Sequence, residues 1–286
     1  MVSSQLDRNK FTKDLWKKID IIQAMFKDQK VIVAFSGGID STFLAFLAKE
    51  FAQKVLVVLI KAPTTPQQEF LQAQKFSKEL SLTLEIIEVN TLAIPDIAQN
   101  SEARCYFCKQ QILKILLTLA EQRQFDLVVD GTNFSDLSTT RAGLKALKET
   151  PVRSPLAEAE LSKAEIIQIS QILNLPSKDI PSQACLASRV PFNVPLTPQI
   201  LAQIDQSEQF IRTLLKNDHS PLRVRLHVLH PTTNLLGRIE CENEIHQQII
   251  KRGFQQKIVS QLKKFGFTYV TIDLHGFKSG SMHEML

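Results

Sequence analysis

The chain has 286 residues, 44% of them hydrophobic, enough for one large or two ordinary domains with a real core. No apolar run approaches the ~20 residues of a membrane span, MVSSQLDRNKFTKDLWKK lacks a signal-peptide core, and four cysteines do not suggest a disulfide scaffold, so a cytoplasmic protein with free thiols, a metal site or catalysis is expected. A net charge of +5 suits a pocket for polyanionic small molecules, but without a basic tract, and with two Tyr and one Trp, no nucleic-acid partner is expected.

The apolar positions Leu6, Trp16, Ile19, Ile22, Ala24, Met25 and Phe26 predict an amphipathic helix over 5–27. Val31-Ile32-Val33-Ala34-Phe35 is β-branched and nearly unbroken, the pattern of a strand buried on both faces. Good helix formers follow from Phe43 to Glu50. Between them lies Ser36-Gly37-Gly38-Ile39-Asp40-Ser41-Thr42. A strand, a tight glycine turn and a helix start make an anion site, because two glycines admit a ligand close to the backbone and free N–H groups then face it. Ser36, Ser41 and Thr42 add hydroxyls, and Asp40 can cap the helix or help hold a metal ion. The segment lacks the spacing and lysine of a Walker A loop and the Rossmann glycine pattern, and resembles the PP-loop of ATP pyrophosphatases.

Residues 55–60 predict a second strand, 66–80 a helix, 82–89 a third strand and 112–121 a helix. Leu127-Val128-Val129 predicts a fourth strand, ending in Asp130-Gly131-Thr132-Asn133. This alternation implies a parallel sheet with helices on both faces, and ligands bind such sheets beyond the carboxyl ends of the strands. SGGIDST, Lys61-Ala62-Pro63 and residues 130–133 fall there, and Arg141 is expected near that mouth. From 176 to 198 five prolines flank Ser182–Arg189, predicting a long ordered loop or a linker. Beyond it a helix at 199–215, strands near 222–228 and 234–240, a helix at 242–263 and a strand at 267–272 predict a smaller α+β unit. The boundary is placed near 194, giving domains 1–194 and 195–286.

Cys185 lies between prolines, four residues before Arg189. A neighbouring cation makes a thiol a better nucleophile; flanking Ala184, Leu186 and Ala187 equally suit an inert core cysteine. Cys105-Tyr106-Phe107-Cys108 has the spacing of a zinc or iron–sulfur ligand pair or a redox pair, and two reduced thiols at a helix start would look the same. With Cys185 the pair makes three soft ligands, enough for a four-iron cluster with one iron open. Arg223 and Arg225 alternate on one strand and share a face. They suit a phosphate or carboxylate, or else form a solvated face. Arg238 and Glu240 share the next strand's face and can pair; Glu208 lies on the helix before these strands.

Together, SGGIDST, Arg104–Lys109, the Gly131–Asn133 and Arg141–Leu144 stretches, Val152–Leu156, Ala184–Pro191, Arg223-Val224-Arg225, Arg238-Ile239-Glu240 and Gly276–Ser281 resemble the LarE family over nearly the whole chain. These are ATP-dependent sulfur transferases of lactate racemase cofactor assembly. The resemblance implies a PP-loop (adenine nucleotide alpha-hydrolase-like) parallel-sheet domain with a smaller C-terminal α+β domain for substrate binding or oligomerisation. It implies adenylation of pyridinium-3,5-biscarboxylic acid mononucleotide by ATP and Mg²⁺, then sulfur transfer. By the same resemblance Ser36, Gly37, Gly38, Asp40, Ser41, Thr42, Gly131 and Arg141 bind ATP or its Mg²⁺, and Cys185 handles sulfur. Arg189, Arg223, Arg225, Glu208 and Glu240 bind substrate. The sulfur comes from Cys185 itself or from a [4Fe-4S] cluster on Cys105, Cys108 and Cys185, the cluster being slightly favoured. A homo-oligomer is implied. Two departures stand out: Arg141-Ala142-Gly143 replaces a common Arg-Pro-Gly, and the stretch from Arg225 to Arg238, containing Pro231, is long. A PP-loop tRNA thiolation enzyme and an amidotransferase-type ATP pyrophosphatase are the alternatives.

Overall fold

Thr12 sets where the first helix begins. Its side chain accepts from the Leu15 N–H at 3.3 Å, so α1 runs Lys13–Phe26. Arg8–Lys10 form a separate 3-10 turn capped by Asp7, which corrects the expectation of one helix over 5–27. The computed structural model describes residues 6–138, 142–180, 184–216, 220–229 and 234–278. The elements continue as β1 (Lys30–Ala34), α2 (Ile39–Phe51), β2 (Lys54–Lys61), α3 (Gln67–Glu79), β3 (Leu84–Glu88), α4 (Pro95–Ala98) and α5 (Arg104–Arg123). Then come β4 (Leu127–Val129), α6 (Ala142–Lys148), α7 (Pro155–Glu158), α8 (Lys163–Ile172) and α9 (Pro198–Leu215). Last are β5 (Leu222–Leu229), β6 (Asn234–Cys241), α10 (Asn243–Lys251), α11 (Gln255–Lys264) and β7 (Tyr269–Ile272). Contacts group the chain into two units: Met1–Ala62 with Glu69–Val89 and Cys105–Ser182, and Pro63–Gln68 with Asn90–Arg104 and Gln183–Leu286.

The first unit holds a four-stranded parallel sheet in the order β3-β2-β1-β4. Period-two alternation sends Val31 and Val33 to one face and Ile32 to the other. The first face packs on Ile19, Ile22 and Phe26 of α1, Phe43 and Leu47 of α2 and Ile166 of α8. The second packs on Leu113, Leu116 and Leu119 of α5. Helices therefore cover both faces, as the unbroken apolar strands predict. The strand order reverses at β1: β2 and β3 lie to one side and β4 to the other. Loops leaving the carboxyl ends of β1 and β4 thus flank a topological switch point, where ligands of such sheets bind.

The second unit holds a three-stranded sheet, β5-β6-β7, with β5 and β6 antiparallel and β7 parallel to β6. Val224 and Leu226 of β5 pack with Ile204 and Ile211 of α9 and with Ile245, Ile249, Ile258 and Leu262. The helix expected over 242–263 is instead α10 and α11, separated where Gly253 adopts a φ of 64°. Cys241 closes β6 as a buried thiol, and burial pushes its pKa up to about 11, so it stays protonated and inert.

Candidate active site

In the first unit the loop after β1 is shaped by close approach. Gly37 has a φ of 75°, and a Cβ there would meet the Ala73 Cα at 2.8 Å, so only glycine fits. The Ser36 N–H donates to Ser41 Oγ (3.2 Å), the Gly38 N–H to Ser36 Oγ (3.3 Å), and Ser41 Oγ to the Gly38 carbonyl (3.1 Å). The two serine hydroxyls therefore brace the turn. Gly38 caps α2 without a side chain, leaving first-turn N–H groups open to a ligand. Gly131, from the loop after β4, keeps that opening clear: a Cβ there would stand 3.0 Å from the Ser41 nitrogen. Thr42 is fully buried, and its Oγ1 finds no partner among the described residues.

Asp40 occupies the first turn of α2 rather than its cap. Lys163 Nζ lies 2.6 Å from Asp40 Oδ2, and Asn133 Nδ2 donates to Oδ1 at 3.4 Å. Burial raises the Asp40 pKa against the opposing pull of Lys163. Lys163 opens α8, placed by a capping box between Ser162 and Glu165 and by its own N–H donating to Ser135 Oγ at 3.0 Å. The sequence reading missed Lys163; the Ser-x-x-Glu signature was the available signal. At the end of β4, Asp130 accepts from Lys109 Nζ (2.7 Å), Ser154 Oγ (2.7 Å) and Thr132 Oγ1 (2.9 Å). Burial alone would raise its pKa, but the Lys109 charge and these bonds hold it below the ordinary value. The result is an N–H-lined cradle with two charge-neutral carboxylate–lysine pairs beside it. Arg141 lies outside the described residues.

Cys105 and Cys108 sit in the first two turns of α5, Cys105 exposed and Cys108 half-buried. The expected helix over 112–121 therefore begins eight residues earlier, at Arg104. Among the described residues no three His, Cys, Asp or Glu side chains gather as metal ligands.

The second unit carries Cys185. It precedes a 3-10 turn, Leu186–Arg189, and is exposed, which overturns the buried, inert alternative. Arg189 stays beside this turn: its Nη1 donates to the backbone carbonyls of Ala184 and Cys185. Its Nε and Nη2 donate to the two Glu208 oxygens at 3.0 and 3.1 Å.

Arg223 and Arg225 share a face, as strand geometry requires, yet that face is not solvated; they are 7% and 1% exposed. Arg225 pairs with Glu240 (2.9 Å) and donates to the Ser188 carbonyl at 2.7 Å. Arg238 pairs with the same Glu240 (3.1 Å) and with Asp273 (2.5 Å), and its Nε donates to His227 Nε2. Arg223 alone in this set has no carboxylate partner among the described residues. Its guanidinium lies 4.7 Å from the centre of the Phe277 ring. Burial, then the charges of Arg189 and Arg225, lower its pKa to about 10. A buried cation in this state favours an incoming anion. His230, Pro231 and Ser279–Ser281 lie outside the described residues.

A switch-point loop with an uncapped glycine helix start and no Walker lysine defines a PP-loop nucleotide-binding domain. Residues 13–183 match the NAD synthase family. An uncharacterized Synechocystis protein is 35% identical over 95% of this chain and 99% of its own length. The pyridinium-3,5-bisthiocarboxylic acid mononucleotide synthase of Lactiplantibacillus plantarum is 31% identical over 94% of this chain and 95% of its own. A glutamine-hydrolyzing GMP synthase chain of Methanococcus maripaludis is 24% identical over 71% of each. The chain belongs to the NAD synthase family of PP-loop domains and, over nearly its whole length, to the LarE family. The α/β fold class expected from the sequence is the one observed, and no helix among the described residues is long and apolar enough to cross a membrane.

Proposed function

We propose that this chain is a cytoplasmic, homo-oligomeric ATP-dependent sulfur transferase. It converts a ring carboxylate of pyridinium-3,5-biscarboxylic acid mononucleotide into a thiocarboxylate. The observation that carries this is the pairing, in one unit, of an exposed Cys185 with a buried guanidinium, Arg223, that lacks a counter-charge among the described residues. An amidotransferase-type enzyme has no use for Cys185. The relative's name, a bisthiocarboxylic acid synthase, supports the same reading.

ATP phosphates lie on the open N–H groups of α2, where Gly37, Gly38 and Gly131 admit them, with Lys163 and Lys109 close by. Asp40, at the edge of this cradle, suits Mg²⁺, which when bound offsets charge on the departing pyrophosphate. The substrate carboxylate attacks the α-phosphorus, the bond to pyrophosphate breaks, and an acyl adenylate forms. The second unit holds the mononucleotide phosphate at Arg223. The Cys185 thiolate attacks the acyl carbon and expels AMP. Loss of the Cys185 Cα proton then breaks the Cβ–S bond, leaving sulfur on the product and dehydroalanine on the chain. A second, unspent chain repeats these steps at the other ring carboxylate and gives the bisthiocarboxylate. The Cys105–Cys108 pair, its first thiol exposed and its second half-buried, suits a second sulfur source, a four-iron cluster completed by Cys185 and fed by external sulfide. The described residues do not gather that ligand set, and no step above depends on it.

The test is intact-protein mass spectrometry after anaerobic incubation with ATP, Mg²⁺ and the dicarboxylate mononucleotide, with iron assayed. Loss of the elements of H₂S at Cys185 without iron identifies a single-use donor. Unchanged mass with bound iron and sulfide-dependent turnover identifies the cluster. Pyrophosphate release that needs tRNA, with steep salt dependence, would instead make this a tRNA thiolation enzyme. Full activity in Cys185→Ala would point to amidotransferase chemistry.

A further inference from the structure

The Cys185 thiol is exposed, but the backbone of its turn is gripped by buried charges. Three carbonyls of the turn accept from guanidinium groups: Ala184 and Cys185 from Arg189 Nη1, and Ser188 from Arg225 Nη1. Turn carbonyls are ordinarily satisfied by water or the next turn. Glu208 underlies this grip. Its Oε1 accepts from Arg189 Nε at 3.0 Å and from the Val224 N–H at 2.9 Å, and its Oε2 from Arg189 Nη2 at 3.1 Å. Val224 is the residue between Arg223 and Arg225 on β5. One buried carboxylate therefore ties the cysteine turn to the strand that carries Arg223.

Stability is a poor reason for this arrangement, since desolvation largely cancels the attraction within a buried ion pair. Fixed geometry is a better one. Arg189 is held at both ends, by a fork onto Glu208 and by donation to two carbonyls, which removes the freedom of a long side chain.

We propose that Glu208, acting through Arg189, is a positioning residue for sulfur transfer. It sets where the Cys185 sulfur stands relative to an anion at Arg223, and this role replaces the substrate binding expected of Glu208 and Arg189, whose polar atoms are engaged with each other, with the Val224 N–H and with the turn carbonyls. The reaction invoked rests on the sulfur-transfer reading above; the brace itself does not.

Glu208→Gln keeps the size but loses the charge and one acceptor. Arg189→Lys keeps the charge but cannot serve Glu208 and two carbonyls at once. Misplacement on the order of 1 Å costs about a hundredfold in rate. Both variants should therefore form thiocarboxylate about a hundredfold more slowly, with KM for the mononucleotide within about twofold of wild type. Substrate-dependent pyrophosphate release should stay at the wild-type rate. Hydrogen exchange of the peptide spanning Cys185–Val190 should quicken about tenfold while α9 and β5 stay protected. Local loosening in the variants of a chain whose wild type transfers no sulfur would support the brace and overturn the sulfur-transfer reading. Undiminished sulfur transfer, an unloosened turn in Arg189→Lys, or pyrophosphate release falling in parallel with sulfur transfer would overturn the proposal.

Discussion

Replacing Arg223 by Met should stabilise the chain while abolishing the anion site proposed there. Burial and the nearby Arg189 and Arg225 charges lower the Arg223 pKa to about 10. At about 1.4 kcal/mol for each tenfold change in a proton equilibrium, keeping this cation costs the fold on the order of 3 kcal/mol. The sign follows from the direction. The folded state binds the proton less tightly than the unfolded chain, so the charge destabilises at every pH below about 10. The contact with Phe277 returns about 0.5–2 kcal/mol. Methionine keeps an unbranched chain against the ring and a favourable sulfur contact. The net gain is about 1–2 kcal/mol, a rise in Tm of about 2–6 °C. The assay is a thermal scan at neutral pH with and without inorganic phosphate. Wild type should melt lower but rise with phosphate, because a ligand that binds only the folded state stabilises it. Arg223→Met should melt higher and respond less to phosphate, keeping only what the α2 cradle contributes. A lower Tm, or an undiminished response to phosphate, would refute the claim that Arg223 is an uncompensated cation kept for an anion.

In Gly37→Ala, a left-handed alanine costs roughly 1–2 kcal/mol, and the clash with Ala73 adds about 1–3 kcal/mol; calorimetric titration should find ATP affinity lost, and normal binding would contradict the cradle. Lys109→Met leaves the buried Asp130 carboxylate unpaired, a loss of about 3–5 kcal/mol. With its pKa depressed, Asp130 contributes stability above its unfolded value that disappears as pH falls through the lower folded one. Urea titrations across the acid range should show that wild-type slope, and in Lys109→Met the slope should reverse. Asp40 has a raised pKa, so its ionised form costs stability that is regained as pH falls through the folded value. Asp40→Asn should accordingly match or exceed wild-type stability at neutral pH while pyrophosphate release is lost; a variant that unfolds would show Asp40 to be structural.

The sheet and its loop were legible because Val31–Phe35 is apolar at every position and the glycines follow at once, a combination only a buried strand and a tight turn satisfy. The head of α5 was not, since Arg104-Cys105-Tyr106-Phe107-Cys108-Lys109 carries no apolar period and its placement depends on tertiary contacts. Gly253 hid inside a good amphipathic pattern because periodicity sees side chains, whereas its φ of 64° is a backbone fact. The shared face of Arg223 and Arg225 followed from the period of a strand. Its burial did not, because Val224 and Leu226 supply the expected apolar face and nothing local announces that the opposite face is covered too. Cys185 failed the other way: Ala184, Leu186 and Ala187 suggest a core position, yet Leu186 and Ala187 are buried and the thiol between Ala184 and Leu186 is not.

The two candidate anion sites differ in physics in a way that suits the proposed sulfur transfer. Beside the α2 cradle the charges are matched, Asp40 with Lys163 and Asp130 with Lys109, so attraction there rests first on N–H dipoles. In the second unit Glu208 answers Arg189, while Glu240 and Asp273 answer Arg225 and Arg238, which leaves Arg223 in excess. A dipole site holds phosphate without retaining it, which pyrophosphate requires because it must depart after each adenylation. A buried excess charge retains its anion more firmly, which on the proposed reaction keeps the mononucleotide in place from adenylation to sulfur transfer at one carboxylate. Neutralising Arg223 should therefore let adenylated substrate escape before Cys185 attacks it, and adding a lysine at the α2 cradle should slow pyrophosphate release rather than adenylation.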